Sequence, residues 1–394
     1  MKSSIGIHTM AITLPLNDED GEALLQIFKA CKFVSVVEDC NYNPYDQHAK
    51  YFRVNYKNEN VGIIWILKIT NHVDYYSLFS CSIKAIINPK ILSGENTYIV
   101  AANKTHLYTV EEGFNREAAK LSPILRKFYD YSLNRLDYCI NFDIYEIYKE
   151  CPKELKKKLP LIMMYLIKQG DIPDHFRELD FNDKQFYLKS NSVVINAYWK
   201  YYDLKQNYSS CVSLKESHNI IRFEVQYKYQ KMNHITNKVK KELTKNKNMD
   251  LYEHRVSSKF KLNNIMILEE LLSDEMCMDT IGDYYNSIIK KGDYYSLKKA
   301  NQLIEEKCSS WDKITRLKNT LKLISEYGGI AKAKDNIDKE SIEDFRKSLR
   351  ELTSLNINPV VIPEEWGIEF IPNLLYAYYD LLSKERMDKW LKCF

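Results

Sequence analysis

Residues 135–143, Arg-Leu-Asp-Tyr-Cys-Ile-Asn-Phe-Asp, alternate between polar and apolar side chains along the whole segment. Successive side chains of a β-strand point to opposite faces of the sheet, so this pattern predicts a strand with one buried face. The apolar face would hold Leu136, Tyr138, Ile140 and Phe142. The opposite face would hold Arg135, Asp137, Cys139, Asn141 and Asp143. The segment therefore brings two carboxylates and a guanidinium to one surface of the predicted sheet.

Two later segments, Val193–Tyr202 and Ile220–Lys228, repeat this alternation. Their polar faces would carry Asn196, Tyr198, Lys200, Tyr202, Arg222, Glu224, Gln226 and Lys228. If the three segments lie in one antiparallel sheet, these faces join the polar face of 135–143 in a single surface. The alternative interpretation is an amphipathic sheet whose outer face is only solvated.

The order of elements along the chain predicts an α+β protein. Strand-like segments rich in Ile, Val, Phe and Tyr mix with helical patterns in the first part of the chain, and amphipathic helices dominate the last part. With 394 residues, the chain is longer than most single domains. We therefore expect an antiparallel sheet domain over residues 1–235, a basic linker or helix over 236–262, and a mostly helical domain over 263–394.

Turn residues and hydrophobic periodicity set the bounds of the other predicted elements. Further strands are predicted at Tyr51–Tyr56, Val61–Thr70, Leu78–Ile87 and Tyr98–Ala101. Helices are predicted at Asn115–Asn134, Pro152–Lys168, Asn263–Ser273, Thr280–Lys290, Ser296–Lys307, Trp311–Tyr327 and Ser341–Leu355. Short turns separate the helices between Thr280 and Gly329, a spacing compatible with a helix-turn-helix.

Composition excludes several classes of protein. The N-terminus lacks the apolar run of a secretory signal, and no stretch approaches the roughly 18 apolar residues of a membrane helix. The nine cysteines form no CxxC pair and no cluster with His at zinc-ligand spacing, which favours reduced thiols. We predict a soluble, cytoplasmic protein. Its net charge of +4 permits nucleic-acid binding but does not require it.

The carboxylates of the predicted polar surface favour a divalent metal ion. Neighbouring carboxylates repel one another unless a cation lies between them, and oxygen ligands suit Mg²⁺ or Mn²⁺. The candidate ligands are Asp137, Glu224 and Asp143. Each also has a structural explanation, because Asp137 and Glu224 lie two residues from an arginine and Asp143 could cap a turn.

Tyrosine is the candidate nucleophile of the same surface. Tyr198 is the first choice and Tyr202 the second, while Tyr201 falls on the apolar face. Outside this strand, Tyr187 or Tyr227 could also serve. Lys200 could hold a phosphate or favour the phenolate. Attack of a tyrosine on a DNA phosphodiester would give a 5′-phosphotyrosine and free a 3′-hydroxyl. The chain has 30 tyrosines, so frequency alone singles out none of them.

Candidate DNA contacts come from both parts of the chain. Arg135 and Arg222 belong to the predicted sheet, and Lys298, Lys299 and Arg316 belong to the predicted helices. The lysine-rich stretch 231–261 fits either a solvated helix or linker, or an arm that contacts phosphates.

Three segments together resemble a known family. The stretches NRLDYCINFD, QFYLKSNSVVINAYWKYYDL and IIRFEVQYKYQK are similar to rolling-circle replication initiators. The resemblance is to the filamentous-phage gene II and gene X replication proteins and, more distantly, to the Rep_trans plasmid initiators. The family's Arg-x-Asp, Tyr-x-Lys and Arg-x-Glu motifs correspond to Arg135 and Asp137, Tyr198 and Lys200, and Arg222 and Glu224.

The resemblance implies a sheet related to the HUH nucleases and nicking of origin DNA through a tyrosine. It implies recruitment of a host helicase and a polymerase. We also expect double- and single-stranded origin DNA and a second copy of the chain as partners. One departure concerns the metal, because the eight histidines include no His-hydrophobic-His pair. The ion would then be held mainly by carboxylates.

Two other functions stay open. The chain could bind an origin specifically without cutting it, or it could be a relaxase that starts conjugative transfer with the same chemistry. Cleavage separates the first alternative from nicking, and the genetic element that carries the gene separates the second.

Overall fold

The structure, a computed structural model, describes residues 4–40, 42, 49–57, 61–70, 81–95, 98–149, 151–178, 185–207, 213–245 and 265–391. Its centre is a ten-stranded antiparallel sheet. In chain order the strands are β1 (Ser4–Leu16), β2 (Val34–Glu38), β3 (Ala49–Tyr56), β4 (Ile63–Thr70), β5 (Cys81–Ile87), β6 (Ser132–Asp143), β7 (Arg177–Glu178), β8 (Gln185–Lys189), β9 (Val193–Trp199) and β10 (Ile220–Tyr227). Their order in the sheet is β2-β3-β4-β5-β1-β6-β10-β9-β8-β7. A second small sheet pairs β11 (Tyr294–Tyr295) with β12 (Phe370–Ile371).

Helices make up most of the remaining described chain. They are α1 (Asp18–Ala30), α2 (Pro89–Leu92), α3 (Leu107–Leu121), α4 (Ile144–Ile147), α5 (Lys153–Lys168), α6 (Lys200–Asn207), α7 (Ser213–Glu216), α8 (Tyr229–Lys245), α9 (Ile265–Leu271), α10 (Asp274–Ile288), α11 (Leu297–Lys307), α12 (Trp311–Tyr327), α13 (Ile330–Asp335), α14 (Ile342–Ser354) and α15 (Leu374–Leu391). The α+β class with a large antiparallel sheet is therefore confirmed. None of these helices is long and apolar enough to cross a lipid bilayer.

Helices cover one face of the large sheet. Helix α1 packs on β2, β4 and β5, and α8 and α10 pack on β6 and β10. Ring contacts join the layers, as between Tyr285 of α10 and both Phe142 and Phe223, at 6.1 and 5.3 Å. Complete burial of such an aromatic side chain contributes about 1.5–3 kcal/mol. The opposite face carries the polar residues of the alternating strands.

The main hydrophobic core crosses the predicted domain boundaries. Helix α8 runs through residues 235 and 236, and Leu268, Ile281 and Tyr378 share the buried cluster of the sheet. A smaller cluster joins α11, α12 and α14 through Ala300, Ile304, Leu317, Leu321 and Leu352. Residues 265–391 are mostly helical, but α9, α10 and α15 belong to the layer that packs on the sheet.

Several predicted elements differ from the structure for local reasons. The helix predicted at Asn115–Asn134 is wrong, because α3 ends at Leu121, where Ser122 is followed by Pro123, and β6 begins at Ser132. Tyr98–Ala101 forms no strand, although the adjacent Ala102 bridges to Ile7 of β1. Strand β1 was not predicted at all. Positions 78–80 and 263–264 of two predicted elements lie outside the described residues.

Candidate active site

The three alternating strands lie side by side, as predicted. Strand β10 pairs with β6 on one side and β9 on the other, both antiparallel. In this register Arg222 lies between Asn141 and Tyr198, and Glu224 lies between Cys139 and Asn196. The polar faces of the three strands therefore form one surface.

Glu224 is the centre of this surface. Its Oε1 accepts a hydrogen bond from the Tyr198 hydroxyl at 2.8 Å and lies 2.9 Å from His8 Nδ1 and 3.4 Å from Arg222 Nη1. Burial opposes ionisation of Glu224, but His8, Arg222 and Lys200 outweigh it and hold the pKa of this carboxyl well below its usual range. Glu224 is thus an anion at neutral pH, surrounded by donors.

His8 is a site residue that the sequence did not reveal. It lies in β1, where the pairing with β6 shifts by one residue between Ile7 and Thr9. Such a bulge redirects a side chain, and here His8 contacts Glu224 two strands away. Burial lowers the pKa of His8 to about 4 although Glu224 acts to raise it, so the neutral ring donates its Nδ1–H to the carboxylate. The alternation in Ile5–Leu16 was the only available sequence signal.

Replacing His8 by Asn is expected to change the pH dependence of stability. The folded pKa of about 4 lies below the ordinary 6.5, so this contribution is present above pH 6.5 and is lost as the pH falls towards 4. Urea unfolding at about pH 4.5 and about pH 6.5 should show wild type gaining about 2 kcal/mol more than His8→Asn over this interval. The asparagine retains a side-chain N–H for Glu224. Equal pH dependence of the two proteins would contradict a neutral, half-buried His8.

Asp137 has the opposite effect on how the stability of the protein depends on pH. Burial raises the pKa of Asp137 to about 6, although Arg135 lowers it. Its contribution to stability is therefore present below pH 3.8 and is lost as the pH rises through about 6. The His8→Asn comparison leaves this contribution in both proteins, so the difference between them reports on His8.

Arg135 holds Asp137 in an ion pair. Arg135 Nε donates to Asp137 Oδ1 at 2.8 Å, and Nη2 donates to Oδ2. Asp137 lies opposite Gln226, two residue pairs along the strands from the pair of Glu224 and Cys139. The Arg135 side chain is 33% exposed, so its predicted contact with DNA remains sterically open.

The strand that carries Tyr198 ends earlier than predicted. Strand β9 stops at Trp199, and Lys200 and Tyr202 belong to helix α6. Lys200 is buried, its Nζ donates to Asp203 Oδ2 at 2.6 Å, and it lies 5.4 Å from the centre of the Tyr198 ring. Burial, together with Arg222, lowers the pKa of Lys200. Lys200 is therefore beside Tyr198, as expected, although it reaches that place from a helix.

The two candidate nucleophiles have different surroundings. Tyr198 is 7% exposed, and burial, followed by the charge of Glu224, raises its pKa well above 10. Tyr202 is half-buried on α6 and packs edge-on against Trp199 with ring centres 5.0 Å apart. Tyr198 is thus a neutral phenol bound to Glu224, whereas Tyr202 lies in an aromatic cluster.

Asp143 caps a helix and lies apart from Asp137, another of the candidate metal ligands. Its Oδ1 accepts from the backbone N–H of Tyr145 and Glu146 at 3.0 and 3.1 Å, so it caps α4. Asn219 also donates to the same oxygen. Asp143 is six residues beyond Asp137 on one strand, a distance of about 20 Å, which is too far for both to bind one ion.

The remaining carboxylates do not fit a divalent ion in this arrangement. Asp137 is paired with Arg135, and Glu224 is bound by His8, Tyr198 and Arg222. Within the described ranges, no three His, Cys, Asp or Glu side chains are grouped so as to hold a metal. The negative charges of Asp137 and Glu224 are balanced by Arg135 and Arg222 instead.

Arg222 is buried beneath the segment at Tyr98 and holds that segment in place. Its side chain is fully buried, its Nε donates to Asn141 Oδ1 at 2.5 Å, and its Nη2 donates to the Tyr98 carbonyl at 2.6 Å. These bonds fix the segment at Tyr98 across the polar face of β6 and β10. The guanidinium does not reach solvent in this arrangement, so the predicted phosphate contact requires displacement of that segment.

The helical candidates lie away from this site. Lys298 is exposed on α11, Lys299 Nζ donates to Gln302 at 3.1 Å, and Arg316 of α12 bonds to Ser348 and Glu351 at 2.6 and 2.8 Å. Helices α11 and α12 are joined by three residues, but α10 packs on the sheet and does not pair with them as a helix-turn-helix. Of the basic stretch 231–261, residues up to 245 lie in α8 and the others are outside the described residues. DNA binding by these groups stays a prediction.

Comparison with known proteins finds few similarities. No protein-family model and no curated protein matches the chain. A solved structure, that of a rolling circle replication initiator protein from Geobacillus stearothermophilus, is similar at 10% sequence identity and a TM-score of 0.29. The alignment covers 60% of this chain and 78% of that one.

Proposed function

We propose that the chain nicks DNA by transesterification through Tyr198, as an initiator of rolling-circle replication with a sheet related to the HUH nucleases. The observation that supports this most is the 2.8 Å hydrogen bond from the Tyr198 hydroxyl to Glu224. Lys200 and Arg222 lie beside the same pair. A phenol can act as the nucleophile of a phosphodiester transesterification, a carboxylate as its base, and cations can stabilise the charge that develops on the phosphate.

The chemistry exchanges one phosphate ester for another. The Tyr198 oxygen bonds to phosphorus while the bond from phosphorus to the 3′-oxygen breaks. The phenolic proton passes to Glu224, whose low pKa suffices because the phenol becomes strongly acidic as its oxygen binds phosphorus. Lys200, whose pKa is lowered by burial, gives a proton to the departing 3′-oxygen. The phosphotyrosine retains the ester bond, so rejoining is the reverse reaction.

Access to Tyr198 requires a change in the covering structure. At 7% exposure the phenol does not meet a phosphodiester from solvent. Arg222 and Asn141 bind the carbonyls of Tyr98 and Ile99, which places this segment over the site. In the proposed function, DNA binding displaces this segment.

Mg²⁺ or Mn²⁺ remains part of the proposal as the predicted cofactor. The nearest carboxylates are Asp137 and Glu224, and Arg135 and His8 already occupy them. The protein groups therefore carry every step written above, and the ion is tested separately.

Glu224→Gln is expected to lower the nicking rate at least about 100-fold, since the amide cannot accept the phenolic proton. The assay is relaxation of a supercoiled plasmid bearing the gene and its flanking DNA, with Mn²⁺ or with EDTA. Glu351→Gln, which alters an ion pair on α14, is the matched control and should nick like wild type. A fully active Glu224→Gln contradicts the proposed chemistry. Equal nicking rates in Mn²⁺ and in EDTA would show that the reaction needs no metal ion, and the tyrosine chemistry would stand.

A protein that binds an origin without cutting it is the second candidate. It is favoured by the burial of Tyr198 and by the arginines that already pair with Asp137 and Glu224. Under this function the network stabilises the sheet, and salt-sensitive DNA binding occurs with no cleavage in any divalent metal.

A further inference from the structure

The polar face of the sheet extends well beyond the Glu224 site, onto β5, β4 and β3. Thr13 pairs with Lys84, Lys84 pairs with Ile66, and Tyr51 pairs with Lys68. Ala11, on the same face as Thr13, pairs with Arg135. Lys84, Lys68 and Tyr51 therefore share the face that carries Arg135 and Glu224.

Two lysines and two tyrosines form a compact group there, which we call the lysine–tyrosine patch (Lys68, Lys84, Tyr42 and Tyr51). Lys84 Nζ donates to the Tyr42 hydroxyl at 2.9 Å and lies 5.5 Å from its ring centre, and Lys68 Nζ lies 5.9 Å from the ring centre of Tyr51. The two rings are 5.1 Å apart. All four side chains are partly exposed. Their mutual contacts hold ammonium groups and aromatic rings in fixed positions at the surface.

Lys68 and Lys84 supply the ammonium groups of this patch. The guanidinium of the neighbouring Arg53 is paired with Asp39 at 3.1 Å. The patch also continues towards the Glu224 site, since Tyr42 is close enough to Arg135 to interact with its charge. Strand β4 is four strand spacings, about 19 Å, from β10.

We propose that the lysine–tyrosine patch binds single-stranded DNA and guides it along the polar face of the sheet to the Glu224 site. Ammonium groups contact phosphates, and exposed rings stack on unpaired bases, which a duplex does not present. The choice of DNA rests on the proposed function, whereas the position of the strand is an independent claim about β3, β4 and β5.

The test measures binding of a fluorescein-labelled oligothymidine of about 16 nucleotides by anisotropy, in EDTA and from about 50 to about 200 mM salt. Lys68→Glu/Lys84→Glu should bind at least about ten-fold more weakly, with a salt slope reduced by about 1.4 for two lost phosphate contacts. Tyr51→Leu should weaken binding at least about five-fold with an unchanged salt slope, because it removes stacking and no charge. The matched control is Lys157→Glu/Lys158→Glu, two exposed lysines of α5 on the opposite side of the sheet, which should stay within about two-fold of wild type.

Equal losses in the two double variants would overturn the patch, because net charge alone would then explain binding. Equal affinity for a duplex of the same length would overturn the single-strand assignment. Urea unfolding checks that the variants fold. If Lys68→Glu/Lys84→Glu does not fold, Lys68→Gln/Lys84→Gln is measured in its place. If wild type nicks DNA but the patch variants bind the oligothymidine as tightly as wild type does, this inference is refuted and the proposed nicking stands. If the patch variants bind weakly as expected but wild type never nicks, the proposed nicking is refuted and this inference stands.

Discussion

Tyr198→Phe is expected to abolish the covalent protein–DNA adduct, with a loss of at least roughly 1,000-fold relative to wild type. The substitution removes a single oxygen atom, which is the proposed nucleophile and the donor of the hydrogen bond to Glu224. The ring keeps its packing on β9, so folding should be preserved. The measurement incubates the protein with single-stranded fragments of the replicon that carries the gene and counts labelled DNA that stays attached after denaturation.

Tyr202→Phe is the matched control for that experiment. It removes the same hydroxyl oxygen from a tyrosine in the first turn of helix α6, whose ring centre lies 5.0 Å from that of Trp199. The adduct should persist in this variant, and mass mapping of the DNA-linked peptide should find Tyr198. If Tyr202→Phe loses the adduct and Tyr198→Phe keeps it, the nucleophile is the helical tyrosine and Tyr198 only positions Glu224.

Arg222→Met should lower the free energy of unfolding by about 3–5 kcal/mol, the largest stability change we expect in the site. Methionine retains much of the side-chain length but none of the donors. Loss of the guanidinium leaves the Asn141 amide oxygen and the Tyr98 carbonyl without their donor. It also removes a cation beside the half-buried Glu224. Urea denaturation followed by circular dichroism measures the change.

Arg316→Met serves as the comparison for Arg222→Met. Arg316 is 27% exposed and pairs with Glu351, itself 22% exposed, so solvent screens the pair and its loss should cost about 1 kcal/mol or less. A small effect at both positions would contradict the view that Arg222 holds the Tyr98 segment on the sheet.

Some features of this protein follow from local sequence. Alternation with a period of two residues identified β6 and β10 and the polar face of each, because a strand places every second side chain on the same side. It also placed Asp137, Tyr198, Arg222 and Glu224 on one surface once the strands paired. The same rule failed at Lys200, where the chain turns into α6 while the alternation continues for three residues.

Only the tertiary structure decided which of these groups interact and how. His8 joins Glu224 because β1 inserts between β5 and β6 and carries a bulge, and a lone histidine gives no local sign of either event. Asp143 and Asp137 look equivalent along one strand, yet their separation makes one a helix cap and the other an ion-pair partner. The sequence by itself determined which side chains share a face, because that depends on backbone geometry within a strand. Burial, strand order and register determined their charges and partners, because these depend on residues far away in the chain.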